Sequence, residues 1–301
     1  MPVEHSRDNH QTPPFRKDLS VTIAIPCYNG ANFLSNLLDS LFRQTKLADE
    51  ILVINDGSTD ATRQIVQQYE VRLINHNTNL GLACARNTAL WNAKGDVIVY
   101  FDADTLPHPR SLEQILSEYR NPETAAVGGQ ELFTPSSKKV NLWRNLFWRQ
   151  THGEKRIDDT WMLMGLCSSY RKKILMELGG FDEDYKTNGE DVDMGIRLHK
   201  AGYQQAYVPQ IGVLHRRSDS LKTLISLVYR HSYWQSRALR RNDINPSFQM
   251  QTSIKWLFIS AASSVRRHKD FILFLISLIV GSSAIMGRFI EFFSWKKRDF
   301  G

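Results

Sequence analysis

The chain is poor in cysteine. Its 301 residues hold three, Cys27, Cys84 and Cys167, odd in number, far apart and without a C-x-x-C pair. That excludes a disulfide scaffold and a cysteine-built structural zinc site, and fits a reducing compartment. Internal repeats and low-complexity tracts are also missing. Residues 1–20 lack the apolar run of a secretory signal; they are polar, with Pro13 and Pro14, and read as a disordered lead-in. The catalytic part is therefore expected on the cytosolic side. Aromatic residues are not scarce: at 11%, within 42% hydrophobic content, they exclude a solvated coil, and the length suffices for an ordinary core.

Acidic charge is scarce at one end only. Lys and Arg number 38 against 31 Asp and Glu, a formal net of +7. Residues 1–135 carry a net of −5, residues 136–215 a net of +2 and residues 216–301 a net of +10. The basic excess thus belongs to the last 86 residues. Such a tail suits nucleic acid, anionic lipid or water, and what lies between its charges decides among them.

What lies there is apolar. Between Asp270 and Arg288 stand 17 uncharged residues, FILFLISLIVGSSAIMG, with Arg266, Arg267 and Lys269 before them and Lys296, Lys297 and Arg298 after. Seventeen is the short limit for a bilayer span, and basic clusters on both sides run against the positive-inside tendency. A helix lying in the membrane interface, a re-entrant hairpin, a true span and a buried core helix all remain open. The expectation is a membrane-associating region over 221–301, with a membrane surface rather than nucleic acid as partner.

The first third alternates strand and helix signals. Residues 21–25 (VTIAI), 51–54 (ILVI) and 97–101 (VIVYF) read as strands buried on both faces. Between them, 32–44 places Phe33, Leu37, Leu38 and Leu41 at helical spacing, and 58–69 opens with Ser-Thr-Asp and buries Ile65 and Val66. This pattern predicts an α/β fold: a mostly parallel sheet with right-handed crossovers, flanked by helices.

The polar residues fall where such sheets bind ligands, beyond the carboxyl ends of the strands. The three strands run into Pro26-Cys27-Tyr28-Asn29-Gly30, Asn55-Asp56-Gly57-Ser58 and Asp102-Ala103-Asp104. Asp102 and Asp104 are two apart on an extended chain, so both carboxylates face one way. Mg²⁺ takes one or two carboxylates and completes its shell with phosphate oxygens and water. Taken singly, the N-D-G-S is also an ordinary turn and helix cap, and a D-x-D occurs by chance in loops.

Further on, Gly189-Glu190-Asp191-Val192-Asp193 opens a helix that ends near Gly202. The helix dipole accounts for one or two acids in a first turn. Three in four residues repel unless a cation or proton is shared, which points to a general base in a metal-holding mouth. His215, after the strand-like 211–214, supplies a nitrogen donor of the kind Mn²⁺ accepts, although a lone histidine at a strand end is commonly structural.

Taken in order, these residues resemble family 2 glycosyltransferases of the GT-A fold. The likeness covers about residues 21–215 and rests on VTIAIPCYNG, DEILVINDGSTD, NLGLACARN, DAD, GGFDE and GEDVDMGIRL. It implies a GT-A domain over 21–220, with a nucleotide-binding half at 21–105 and an acceptor half at 106–220. It further implies a nucleotide-sugar donor, most often a uridine diphosphate sugar, and Mg²⁺ or Mn²⁺. By resemblance, the loop with Pro26 and Cys27, together with Asp56, holds base and ribose, and Arg86 lies close to the base. Asp102 lies by the ribose, Asp104 binds the metal with His215 beside it, and Asp191 is the base of an inverting transfer. Glu190 and Trp161 are expected on the acceptor side, where Trp143, Trp148 and Met164 also fall.

One departure bears on the product. Processive members carry Q-x-x-R-W after the base, whereas here the nearest text is Tyr233-Trp234-Gln235-Ser236-Arg237-Ala238. Addition of a single sugar is therefore expected, to a lipid-linked or envelope glycan acceptor at the cytoplasmic face of a membrane. Two rivals are a nucleotidyltransferase and a non-catalytic nucleotide- or membrane-binding protein of the same fold. The first should show a Gly-rich basic phosphate loop after the first strand, and Pro26-Cys27-Tyr28-Asn29-Gly30 is not such a loop. The second leaves Asp56, Asp102, Asp104 and Asp191 without a reason to gather.

Overall fold

β-Branched and aromatic runs do become the buried strands. A computed structural model describes residues 19–299, so all but Leu19 and Ser20 of the expected lead-in lies outside the described residues. Strands β1 (Val21–Cys27), β2 (Glu50–Asn55), β3 (Arg72–Asn75) and β4 (Val97–Phe101) lie parallel in the order β3-β2-β1-β4. Helices α1 (Leu34–Leu41), α2 (Thr62–Val66) and α3 (Leu82–Asn92) connect them. Helix α1 buries Leu34, Leu37, Leu38 and Leu41, so the expected stripe is present with Leu34 in place of Phe33. Both α1 and α2 are shorter than their sequence pattern, and β3 is a strand that the pattern does not announce. Its residues are half-buried or exposed at the sheet edge, where no apolar run is required.

The first strand runs two residues further than its apolar core, through Pro26 and Cys27. Pairing of β1 with β4 ends at Ala24, so Pro26, which has no N–H to give, comes after that ladder has stopped.

The second half completes one eight-stranded sheet, order β3-β2-β1-β4-β7-β6-β8-β5. The chain passes through β5 (Thr105–Pro107), α4 (Ser111–Glu118), β6 (Thr124–Glu131), α5 (Lys139–Phe147), β7 (Cys167–Arg171), α6 (Lys172–Glu177), α7 (Glu190–Lys200) and β8 (Gln204–His215). Strand β7 runs antiparallel to β4 and β6, and β5 antiparallel to β8, so the sheet is mixed rather than wholly parallel. Apolar side chains form one core on each face of the sheet. Helix α7 begins at Glu190, and Gly202 follows its end with φ +78°, the left-handed geometry expected of that glycine.

The last stretch is helical: α8 (Leu221–Arg241), α9 (Ser247–Arg266) and α10 (Phe271–Asp299). Leu273, Ile276, Val280 and Ala284 of α10 share one helix face and pack with Leu224, Leu227 and Val228 of α8 and with Trp143 of α5. Gly287 lets α10 close on α8, since a Cβ there would stand 2.5 Å from the Tyr229 carbonyl oxygen. The opposite face of α10 is also apolar, yet Phe271, Ile272, Ile279, Met286 and Phe289 are exposed. Phe271–Ser294 is long and apolar enough to cross a bilayer by length and composition.

Candidate active site

At the carboxyl ends of β1 and β4 opens a cleft of about 740 Å³. Its floor is set by a register. Thr105 of β5 pairs with His215 of β8, and the Arg216 N–H donates to the Asp104 carbonyl at 2.8 Å. The D-x-D loop is thereby laid against the end of a strand 110 residues away in sequence. His215 Nε2 stands 3.1 Å from Asp104 Oδ2, and its Nδ1 lies 3.5 Å from Glu131 Oε1. Burial alone would lower the His215 imidazole, but hydrogen bonds and charge from Asp104 and Glu131 outweigh it and raise the group to about 9. Burial likewise works to raise Asp104, and His215 and Arg217 hold it below the ordinary carboxylate value.

Arg86 is the hub of the other wall. Helix α3 carries it inward until it is 1% exposed, with its guanidinium over the rings of Tyr100 and Phe181 at 5.7 and 5.5 Å. Its Nη1 meets Glu190 Oε1 at 2.9 Å, and its Nη2 donates to Asp102 Oδ1 at 3.3 Å and to the Gly165 carbonyl at 3.0 Å. Burial pushes Glu190 up to about 8 against the pull of Arg86, with the Asp191 charge adding to the rise. Asp102 is raised by burial too, partly countered by Arg86.

Asp191 sits in the first turn of α7, where its Oδ2 accepts the Gly165 N–H at 3.0 Å and its Oδ1 the Val192 N–H at 2.9 Å. Gly165 thus touches both Arg86 and Asp191. A Cβ on it would lie 2.8 Å from Arg86 Nη2 and 3.0 Å from Asp191 Oδ2. Nothing in the sequence marks this residue, because its importance comes from what two remote elements place against it.

The cleft brings together Pro26, Arg86, Asp102, Asp104, Trp161, Glu190, Asp191 and His215. It does not bring in Asp56 or Cys27. Asp56 is buried, and its carboxylate accepts the N–H groups of Leu80 and Gly81 at 2.9 Å each and meets His76 Nδ1 at 2.7 Å. Cys27 turns its thiol into the core, where burial pushes it up to about 12. Glu190, expected on the acceptor side, lines the cleft and is also held against Arg86, as a buried carboxyl needs a partner. Of the other aromatic candidates, Trp148 and Met164 line the cleft, while Trp143 is fully buried and donates from Nε1 to Ser277 Oγ at 2.7 Å. Residues that sequence reasoning passed over also line it, Arg217, Arg230 and His231 among them. They come from the end of β8 and from α8, which only the tertiary fold brings back over the mouth.

The donors present suit a divalent cation shared with a ligand. Among the described residues no three His, Cys, Asp or Glu side chains form a closed metal cage. Asp104 supplies one carboxylate and His215, in contact with it, one imidazole nitrogen that becomes a ligand once the arriving cation displaces its proton, which leaves the remaining positions to phosphate oxygens and water.

Residues 22–179 match the model of Glycosyl transferase family 2, just over half of the chain. The chain is 25% identical over 281 residues to the O-antigen biosynthesis protein RfbC of Myxococcus xanthus, covering 85% of this chain but only 22% of that protein. It is 29% identical over 263 residues to an N-acetylglucosaminyl-diphospho-decaprenol L-rhamnosyltransferase of Mycobacterium tuberculosis, covering 71% of this chain and 85% of that one. In fold it is similar to the mannosyltransferase PcManGT of Pyrobaculum calidifontis, solved with GDP-Man and Mn²⁺. The TM-score is 0.64 at 19% identity, over 90% of this chain and 87% of the other. The expected GT-A architecture is therefore the one observed.

Proposed function

The chain belongs to glycosyl transferase family 2 and is a glycosyltransferase, and from that premise we propose the transfer it performs. It moves a single sugar from a nucleoside diphosphate sugar, a uridine diphosphate sugar in the first instance, to a lipid-linked or envelope glycan acceptor, with inversion. The observation that carries this reading is one cleft lined both by Asp191 and by the Asp104–His215 pair. The Mycobacterium relative, whose name states a lipid diphosphate acceptor, supports the acceptor class.

In this scheme Asp191 takes the proton of the acceptor hydroxyl. The freed oxygen attacks the anomeric carbon from the face opposite the diphosphate, and the bond to the diphosphate breaks with its electron pair leaving on oxygen. Asp104 and His215 would hold Mg²⁺ or Mn²⁺, which supplies Lewis acidity toward the leaving diphosphate. Pro26 borders the base end of the cleft, and Trp161 the acceptor side. Asp56 acts as a positioning residue, holding the loop at Leu80 and Gly81 that leads into α3. Arg86 holds Asp102 and Glu190 in place under the donor.

The test is a donor-hydrolysis panel of UDP-, GDP- and dTDP-sugars with Mn²⁺, Mg²⁺ or EDTA. One donor is expected to release nucleotide only with metal, and Asp104→Ala to lower that release about a hundredfold or more, as loss of charge stabilisation at a leaving group does. The reading is lost if no donor is cleaved and UDP shows no metal-dependent binding.

The same reading puts the protein on the cytoplasmic face of a membrane, with α9 and α10 lying in the interface. Phe258, Ile259, Phe271 and Phe289 are exposed apolar groups on these helices, and Arg266, Arg267 and Lys269 stand at the turn between them. A crossing would strip α10 from its partners: Glu291 meets Arg240 Nε at 2.7 Å, and Arg288 donates to Ser253 and Ser236 at 2.6 and 3.1 Å. The full chain is expected to float with phosphatidylglycerol vesicles. Phe258→Asp should cut the bound fraction about tenfold, the loss of one buried aromatic. Equal flotation of that variant would remove α9 from the membrane contact.

A further inference from the structure

One wall of the cleft has no task in the transfer described above. Helix α8 presents Leu227, Arg230, His231 and Gln235 to it, one turn after another on a single helix face. Most cations of the site are already matched. Arg86 has Glu190 and Asp102, Arg149 has Glu154, Arg217 grips Asp219 through two nitrogens, and His215 has Asp104. Arg230 differs. It donates to Ser226 Oγ at 3.1 Å and pairs with no carboxylate among the described residues. Its neighbour His231, 3.1 Å from Asn188 Nδ2, is kept neutral by burial. A partly solvated guanidinium lacking an acid is a ready partner for a phosphate.

Beside it the wall turns apolar. Phe147 and Trp148 from the end of α5 and Trp256 from α9 join Leu227, with the rings of Trp148 and Trp256 5.0 Å apart edge to face. Trp256 belongs to the same helix that exposes Phe258 and Ile259 on its outer side. The base or sugar face of a nucleotide sugar stacks on one such ring, but a strip that runs on through Phe147 and Leu227 exceeds what so polar a donor fills. A lipid phosphate needs both parts: a cation for the phosphate, then an apolar path toward the membrane-facing helices.

We propose that the α8 wall is the acceptor subsite for a lipid phosphate. Arg230 binds the phosphate or diphosphate next to the acceptor sugar, and Leu227, Trp148 and Trp256 take the first apolar segment of the lipid. This rests on the transferase reading with a lipid-linked acceptor. The donor diphosphate is the other possible source of a phosphate at Arg230, and the experiment separates the two.

The full chain is titrated with farnesyl phosphate, farnesol and, separately, UDP with Mn²⁺, following tryptophan fluorescence and calorimetric heat. Farnesyl phosphate is expected to bind about tenfold to a hundredfold more tightly than farnesol, as one charge-assisted contact provides. Arg230→Ala should erase that difference and Arg230→Lys restore part of it, while Trp256→Ala weakens both isoprenoids. UDP–Mn²⁺ affinity should stay within about twofold in Arg230→Ala, and circular dichroism should report an unchanged fold, since Arg230 is exposed. If farnesyl phosphate binding ignores Arg230 while UDP–Mn²⁺ still binds, the subsite is refuted and the transferase reading stands. If Arg230→Ala weakens UDP instead, the arginine serves the donor and the subsite is refuted. If the wild type binds none of UDP, GDP and dTDP with metal and cleaves none of their sugars, the proposed transfer falls and takes the subsite with it.

Discussion

Asp191→Asn is expected to lower turnover about a thousandfold while leaving UDP affinity within about twofold, because a positioned general base contributes 10²–10⁴. The substitution is close to isosteric. The amide oxygen of asparagine can keep the Gly165 N–H bond that Asp191 Oδ2 accepts at 3.0 Å, so the loop over Arg86 stays in place, while the local bond from the Val192 N–H is given up because the amide nitrogen cannot accept it. What is lost is the capacity to take a proton from the acceptor hydroxyl. Steady-state kinetics with the donor found by the hydrolysis panel, beside calorimetric UDP binding, check the result. Parallel collapse of affinity and turnover would falsify the base assignment and make Asp191 a structural or donor-binding carboxylate.

Arg86→Met is expected to destabilise the fold by about 3–5 kcal/mol above about pH 8, where Glu190 is ionised, the cost of removing one partner from a buried ion pair. The methionine fills much of the space but leaves the buried Glu190 carboxyl without a cation, 2.9 Å from where Nη1 stood, and frees Asp102 and the Gly165 carbonyl. The loss should depend on pH in a stated direction. Glu190 titrates at about 8 in the folded protein against an ordinary 4.5, so the stability it contributes is fully present below about 4.5 and lost as pH rises through about 8. Without Arg86 the carboxyl is raised further, so the variant should lose more relative to wild type at pH 9 than at pH 6. Urea unfolding at both values measures it. Arg86→Met with Glu190→Gln should recover part of the loss and flatten the pH difference. A deficit equal at both pH values, and untouched by Glu190→Gln, would show that packing over Tyr100 and Phe181 is the main role of the arginine.

The contrast between Asp104 and Asp56 shows how far the sequence could be read. Both carboxylates follow a buried strand, and both stand out in the text by their position. Asp104 arrives in the cleft because β5 pairs with the end of β8 and sets it against His215. Asp56 turns the other way, since the loop at Leu80 and Gly81 needs an acceptor for two amide groups, the Gly81 one buried. A motif states which side chain leaves a strand end, not which backbone groups compete for it. Glu190 and Asp191 divide in the same manner. Consecutive residues on a helix point about 100° apart, so one faces Arg86 and the other Gly165.

The C-terminal helices make the same point for packing. The apolar run from Phe271 reads equally as a span, an interfacial helix or a core helix, because length and composition are common to all three. The partners of Arg288 and Glu291 on α8 and α9, more than 30 residues away in sequence, are what hold one face of α10 inward.

By itself the sequence determined the alternation of strand and helix, the strand ends at which polar residues collect, the acidic opening of α7 and the family. All of these rest on local periodicity and short-range spacing, which any stretch carries whatever its neighbours. Only the tertiary structure decided that Gly165 joins Arg86 to Asp191, that Asp56 serves a loop, and that α8 closes the cleft with Arg230. Each of these is a contact between segments far apart in the chain. Such contacts are set by sheet register and by the need to pair buried polar groups, neither of which is written in any one segment.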